Sequence, residues 1–514
     1  MVSTLRCLVC TVLLLFWQSA QAGVSSGCDA LADAREAGLP GPAPGTPQVT
    51  CAGFFPFAVA VDGSESTRLE VVISGAGITA ASLGNSFAVV GVSVDGAALP
   101  QTGGFIELFD DGSNGDRAAG DGIWSRSGIR IDAPPVPPIF FYQFDQLRVT
   151  DGSGTRDIFV GSPASTGQYG PALLGRLAPE LRATARDRGA GFSVTDHVAF
   201  LRSPDVHAEL RWLLRAQNPP ANIRSVPQRF YTEFEDDFDF IFLWPTAHVP
   251  GGLRGAYLSA SNDVSGIGRS ISDDTADWGS DGRLQGVLTM NLSDGGPVIH
   301  ELTHRWGIFV GTDIGLQQCS GAHVGVAGVG CGPLGGFEPN SLVDNGDGTY
   351  TVNNTCFSAG GAAADTTALN PLNLYLAGLI PATDVPPFPV PVNVDCNSIS
   401  QNFSAGTVTF SAEDMVTRTI DDIIDVEGPR VPDSTASQRD FTAAWFVLSH
   451  RDLTPTEMGW FQYRAEYLGR QAAGDQPLRL TFFEATGDRA TLDTRITDPL
   501  VLPPLVFADG FESP

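Results

Sequence analysis

Positive charge is scarce in this sequence. Against 58 Asp and Glu stand only 30 Lys and Arg, a formal net charge of −28 over 514 residues. A chain so short of cations lacks the basic footprint that a phosphate backbone requires, which excludes nucleic acid as a partner. The same balance disfavours an anionic membrane surface. Beyond residue 22 no stretch reaches the ~18 uninterrupted apolar residues of a membrane-spanning helix. None of the six cysteines beyond residue 22 forms a CxxC pair, so a cysteine-rich zinc site is not expected. The single GxSxG, Gly23–Gly27, lies in a short polar stretch before Cys28 and not between a strand and a helix, and there is no P-loop and no GxGxxG opening a helix, which leaves a serine hydrolase, a kinase or a dehydrogenase without support. Neither an internal repeat nor a heptad seam is present. What is abundant is Gly (59) and Pro (36), the mark of a loop-rich globular protein. At about 150 residues per domain the length suggests about three domains.

Residues 1–22 read as an export leader. Arg6 precedes an apolar run from Cys7 to Trp17, and Ala20-Gln21-Ala22 supplies a small-x-small cleavage pattern. The expected location is therefore secreted, or associated with the cell surface. Outside the leader the cysteines are Cys28, Cys51, Cys319, Cys331, Cys356 and Cys396. In an oxidising compartment they are expected to pair as structural disulfides. Proximity in sequence favours Cys28–Cys51, Cys319–Cys331 and Cys356–Cys396.

Past an N-terminal segment (23–53), the chain divides into three parts. Residues 54–165 carry short apolar or alternating runs separated by turns: Val59-Ala60-Val61, Leu69 to Ile73, Phe87 to Val90 and Phe140 to Tyr142. This is the pattern of a β-sandwich. Residues 178–385 begin with helical spacing over Val206–Leu214. They then alternate acids and aromatics from Phe234 to Trp244, which suggests a strand with one wet face carrying Asp236, Asp237 and Asp239. Residues 386–506, after a Pro-rich connection at 386–391, combine a strand at Gly406–Phe410 with a helical run from Phe441 to Gln471. A short tail, 507–514, follows. The expected fold class is a multi-domain α+β protein.

One motif carries chemistry. His300-Glu301-Leu302-Thr303-His304 is an HExxH in a believable helix, with Asp294 available as a cap, Pro297 in the first turn and Gly307 at the end. Positions four apart share a helix face, so His300 and His304 can aim at one Zn²⁺. Glu301 then stands where it can take a proton from metal-bound water. The four remaining histidines outside the motif and position 323 (His197, His207, His248 and His450) are scattered and read as structural. A second candidate ion site is the Asp110–Asp121 loop, whose Asp-rich, Gly-rich spacing suits Ca²⁺ but fails the EF-hand pattern and is equally a plain turn.

The motif makes this chain resemble the zincin metallopeptidases. More locally, Arg254-Gly255-Ala256-Tyr257, Asn262 to Gly268, Gly282 to Val287, His300 to Gly307 and Leu372 to Pro381 resemble segments of secreted bacterial proteins that carry peptidase motifs. The segment Asp110–Trp124 resembles a loop of bacterial anchor-type or Ig-like modules, and Phe507–Ser513 looks like a tail of exported bacterial proteins. The resemblance implies a zincin-like catalytic domain at 178–385 acting on a protein or peptide. Zinc would activate water, with Glu301 as general base and Tyr375 as a donor to the oxyanion. The chain departs from the metzincin pattern at Val310, where the last His should stand. His323 lies at about the spacing at which gluzincins place a Glu, and His₃ is a known ligand set. Glu338, Asp313 and Asp365 remain alternatives. The competing expectations are a non-catalytic surface-binding protein with a degenerate zincin domain and a glycan hydrolase.

Overall fold

The computed structural model describes residues 47–75, 77–160, 172–203, 221–246, 255–290, 292, 297–310, 314–319, 323–353, 356, 365–402, 405–471 and 479–496. The leader, Cys28, the 206–214 segment, Asp294, Asp313 and the tail lie outside them. The protein is mixed α+β and rich in sheet. Its described residues fall into two compact units. The first holds those up to Val59 together with Gly63–Ala133 and Tyr142–Leu174, and the second holds Ala60–Asp62, Pro134–Phe141 and those from Gly175 onward.

The first unit contains two wholly antiparallel sheets. One runs in the order Gln48–Phe55, Thr67–Ser74, Ile123–Ile131, Val92–Val94, Ala97–Ala98. The other runs Gly154–Phe159, Gln146–Asp151, Ala80–Gly84, Phe105–Leu108. Alternation sets the faces, with Leu147 and Val149 fully buried between half-buried polar neighbours. The expected strand at Phe87–Val90 is instead a turn. Buried Asn85 organises it, donating to the Phe87 and Gln101 carbonyls and accepting the Gly104 N–H, so Phe87 is left exposed.

The second unit is built on one twisted sheet. Its strands are β1 (Arg186–Gly189), β2 (Phe192–Val194), β3 (Val198–Arg202), β4 (Phe240–Pro245), β5 (Gly255–Ser259), β6 (Gly286–Met290), β7 (Asp440–Ser449) and β8 (Thr491–Asp493). The spatial order is β1-β2-β3-β7-β4-β6-β5, with β8 also beside β7. Strands β3, β7, β4 and β6 are parallel, and β5 closes one edge antiparallel to β6. Central parallel strands bury both faces and so read as unbroken apolar runs. Every residue of β4 and β6 is buried. The expected wet face between Phe234 and Trp244 is therefore absent. The strand begins only at Phe240, and Asp239 before it is 3% exposed, accepting the Thr442 N–H at 2.8 Å and pairing with Arg283 at 3.2 Å. Asp236 likewise accepts from Ser280, Asp281 and Arg283.

Strand β7 carries a second correction. Residues expected to continue one helix from Phe441 form the strand between β3 and β4, and the helix starts only at Pro455. The β-branched and aromatic run Phe441–Leu448 suits a buried strand better than a helix. Thr454 and Glu457 then form a reciprocal cap at the helix start. That helix, Pro455–Leu468, lays Trp460 and Phe461 against Trp244 and Phe200. On the other face Ile241, Leu243, Phe230, Phe238 and Phe446 form the main core. The Pro-rich segment, expected as a connection, carries a strand: Phe388–Val392 pairs antiparallel with Asp414–Arg418.

A smaller antiparallel sheet, in the order Val343–Asp344, Thr349–Asn353, Thr407–Ser411, Asp395–Asn402, packs around Phe337, Val352, Val408 and Phe410. Two disulfides hold the loops beside it, Cys319–Cys396 and Cys331–Cys356, with Cα separations of 5.3 and 5.6 Å. The local pairings expected for these four cysteines are thus exchanged, because the loops at 319 and 331 lie against different parts of this sheet. Cys51 is also disulfide-bonded, to a partner outside the described residues. Disulfides of this kind are compatible with an extracellular location. Among the described residues no helix is long and apolar enough to cross a membrane.

Candidate metal centre

Helix α1 (Val298–Thr303) carries the HExxH motif, with His304 as its C-terminal cap residue. Its N-terminus is bound by a side chain distant in sequence, since Asp365 accepts the Ile299 N–H at 2.9 Å. Asp365 is itself held by Arg479 at 2.6 Å and lies near Arg464. It therefore serves the helix end. Helix α1 packs on β5 and β6, the antiparallel edge of the sheet.

The structure brings His300, His304 and His323 together. One ring nitrogen of each lies within 4.8 Å of the others, and all three pairs of ring centroids are 4.9 Å apart. Backbone pairing supplies His323: Val324 N–H donates to the Leu334 carbonyl at 2.8 Å, so the 323–324 segment runs beside 333–335. From that second segment the Pro333 carbonyl accepts His300 Nδ1–H at 2.6 Å, and the Gly307 carbonyl accepts His304 Nδ1–H at 3.0 Å. These acceptors fix the Nδ1–H tautomer of both rings and turn their Nε2 lone pairs inward, as metal-binding imidazoles require. His300 Nε2 and His323 Nε2 are 3.0 Å apart. Zn–N bonds of about 2.0–2.1 Å at tetrahedral angles would set such atoms about 3.3 Å apart. The donor set therefore fits a small divalent cation with little adjustment. Burial, then the neighbouring imidazoles, hold the His304 pKa well below its ordinary value, which keeps the ring neutral and able to ligate.

Glu301 projects towards the sheet edge, where its carboxylate accepts the Tyr257 N–H of β5. A side chain at Gly255 would collide with it, since an added Cβ would lie 2.7 Å from Glu301 Oε1. The carboxyl is only 5% exposed, and its pKa is pushed up to about 8, first by burial and then by the charge of Asp365. Arg305, fully buried, locks the end of the motif: it donates to Gln285, Asn262 and Asp263 at 2.9, 2.8 and 3.0 Å.

None of the other expected residues that are described belongs to the three-histidine group. Glu338 is exposed and accepts the Cys331 N–H at 3.0 Å. Tyr375, on helix α2 (Pro371–Leu376), is buried, and its hydroxyl accepts the Arg430 N–H at 3.4 Å. His197 and His450 are not part of the three-histidine group. In the first unit Asp110, Asp116 and Asp121 cluster within 4.8 Å. Each already accepts backbone N–H bonds, Asp110 from Gly120 and Asp121, Asp116 from Gly112, and Asp121 from Ile123. These turn hydrogen bonds account for the clustering without an ion. What sequence reading missed is the backbone: the carbonyls of Pro333 and Gly307 orient the histidines, and no residue type announces them.

Compared with models of known protein families, with curated proteins and with solved structures, the chain matches none.

Proposed function

We propose that this chain is a secreted zinc-dependent metallopeptidase, with His300, His304 and His323 as the metal ligands and Glu301 as the general base. The observation that carries this reading is the convergence of three imidazoles, two of them tautomer-fixed, beside the buried Glu301 carboxylate. Zinc bound there would supply Lewis acidity and lower the pKa of a coordinated water from about 15.7 towards ~7. The chain's own residues do the rest. A cation held by the neutral histidines would lower the Glu301 pKa from its raised value, so that the carboxylate could ionise, accept a proton from water and pass it to a leaving amine. The Tyr257 N–H and the small Gly255 hold it in place. Among the described residues β5 has no strand on its outer side, so an extended peptide can add along that edge by main-chain hydrogen bonding. This favours peptide over glycan as the substrate. On this reading the N-terminal antiparallel sheets form a β-sandwich that accompanies the catalytic unit.

The test is zinc content by mass spectrometry on wild type, His300→Ala and His323→Ala, followed by peptide-library cleavage with wild type and Glu301→Gln. One zinc per chain, lost in both histidine variants, with cleavage abolished by Glu301→Gln, is the expected result. Zinc without cleavage would replace the peptidase with a non-catalytic binding protein. No zinc after growth and refolding with the metal supplied would sink the centre itself.

A further inference from the structure

Beside the segment that leaves the HExxH motif stands a cation that pairs with no carboxylate among the described residues. Arg269 stands on the loop after Asn262, and its guanidinium lies over the Phe309 ring at 4.5 Å. The loop reaches that position because Gly268 has φ +76° and an added Cβ there would lie 2.5 Å from the Phe309 backbone. Phe309 belongs to the segment that leaves the HExxH motif. On its other side Arg269 meets the hydroxyl of Tyr257, whose own N–H holds Glu301. Arg269 is thus linked through a single residue to the proposed general base.

Its electrostatic surroundings are unusual. Arg269 is half-buried, and Nη1 is shielded from solvent without a hydrogen-bond partner. Burial and the nearby Arg305 both disfavour its charge, and only the Tyr257 hydroxyl, a neutral group, favours it. The carboxylate on the same loop, Asp263, has its side chain 85% exposed and is taken up by Arg305 at 3.0 Å. In a chain with a net charge of −28, a half-buried guanidinium with an idle Nη1 and no carboxylate beside it among the described residues stands out. Leaving a charged group buried and unpaired is costly, and a carboxylate is the ligand that a guanidinium fork meets best. Phe309 is itself half-buried, so the stacked pair presents a partly open wall.

We infer that Arg269 receives a substrate carboxylate, so that this site selects peptides bearing an acidic side chain or a free C-terminus close to the scissile bond. The inference rests on the peptidase reading above. It commits to the ligand chemistry, and the two sources of that carboxylate are separated by experiment.

The test uses zinc-loaded full-length protein and matched peptides: Glu against Gln at each position of a cleaved sequence, and a free against an amidated C-terminus. The expected ratio of kcat/KM, carboxylate over neutral, is about ten or more for wild type and about one for Arg269→Gln, with Arg269→Lys between them. A preference that vanishes on amidation assigns the C-terminus, and one that vanishes on Glu→Gln substitution assigns the side chain. No preference in wild type, or one that persists in Arg269→Gln, overturns the inference. So does a preference that emerges only in Asp313→Asn, because Asp313 would then be an internal partner of Arg269. Binding of the same peptides, fluorescently labelled, to the Glu301→Gln protein gives a readout independent of turnover. Failure of all cleavage with Arg269-dependent binding retained would remove the peptidase reading and leave the carboxylate site.

Discussion

At the scale of single residues, the centre depends on small groups as much as on ligands. Glu301 is confined by burial, by the Tyr257 N–H and by the missing side chain of Gly255. Glu301→Gln keeps the shape and hydrogen-bonding capacity but cannot accept a proton. Peptide hydrolysis is expected to fall about 10²- to 10⁴-fold while zinc stoichiometry stays unchanged, as metal analysis and steady-state kinetics on the same sample would show. Gly255→Ala should also lower kcat with the metal retained, because the added methyl displaces the Glu301 carboxylate. A Gly255→Ala protein with wild-type kcat would mean that the carboxylate does not need its present position. His450 provides the pH prediction. Burial, with Arg451 adding, pushes its pKa down to about 4, below the ~6.5 of an unfolded chain. The unfolded state therefore binds the extra proton between pH 6.5 and 4. The stability contributed is fully present above pH 6.5 and is lost as pH falls through that window, up to about 3 kcal/mol. Thermal melts of wild type and His450→Gln across pH 4–7 should show a shallower acid decline in the variant.

At the scale of elements, the HExxH helix was legible because spacing on a helix is a property of sequence alone. Its surroundings were not. Asp365 looked like a possible ligand because carboxylates near such motifs often are, yet it binds the N-terminus of α1 from 66 positions away. The acid-aromatic alternation before β4 looked like a wet-faced strand because periodicity cannot tell a half-buried strand from a loop leading into a fully buried one. The disulfides show the same limit, since proximity in sequence is a poor guide once loops fold back on a sheet. Both described bridges bear on the centre. Cys319 lies four residues before His323, and Cys331 two before Pro333, whose carbonyl orients His300. Closing loops with separations of 77 and 25 residues contributes roughly 4.5 and 3.5 kcal/mol in the chain-entropy view. Replacing Cys331 and Cys356 together by Ser should weaken zinc binding by at least about tenfold, the lower end for loss of an orienting shell. Competition with a chromogenic chelator measures this. Unchanged affinity would show that the Val324–Leu334 pairing suffices alone.

At the scale of the molecule, an α+β composition could be read directly, and the turn-punctuated strands of the N-terminal unit were mostly where alternation put them. The organisation of the second unit could not be read, because its sheet is closed by a strand far along the chain. Strand β7 pairs with β3 and β4 across more than two hundred residues of sequence, and no local signal reports such pairing. A chain ending at residue 385 keeps the whole HExxH region but loses β7, the Pro455–Leu468 helix and the Arg479 partner of Asp365. It is expected to lack a cooperative thermal transition by circular dichroism. A stable, zinc-binding fragment would show that the sheet tolerates a missing middle strand.

The position of β7 also sets an order in time. A ribosome adds about 5–20 residues per second, and roughly 140 residues separate the HExxH helix from the strand that completes its sheet. For an interval on the order of ten seconds each new chain displays the motif with nothing rigid beneath it. Two of its histidines share a helix that is too short to persist unaided. The third stands beside a loop whose cysteine, Cys319, waits for a partner 77 residues further along, Cys396. The apparatus that would cut peptides is therefore among the last things the growing polypeptide acquires, and its maker is spared an active intermediate.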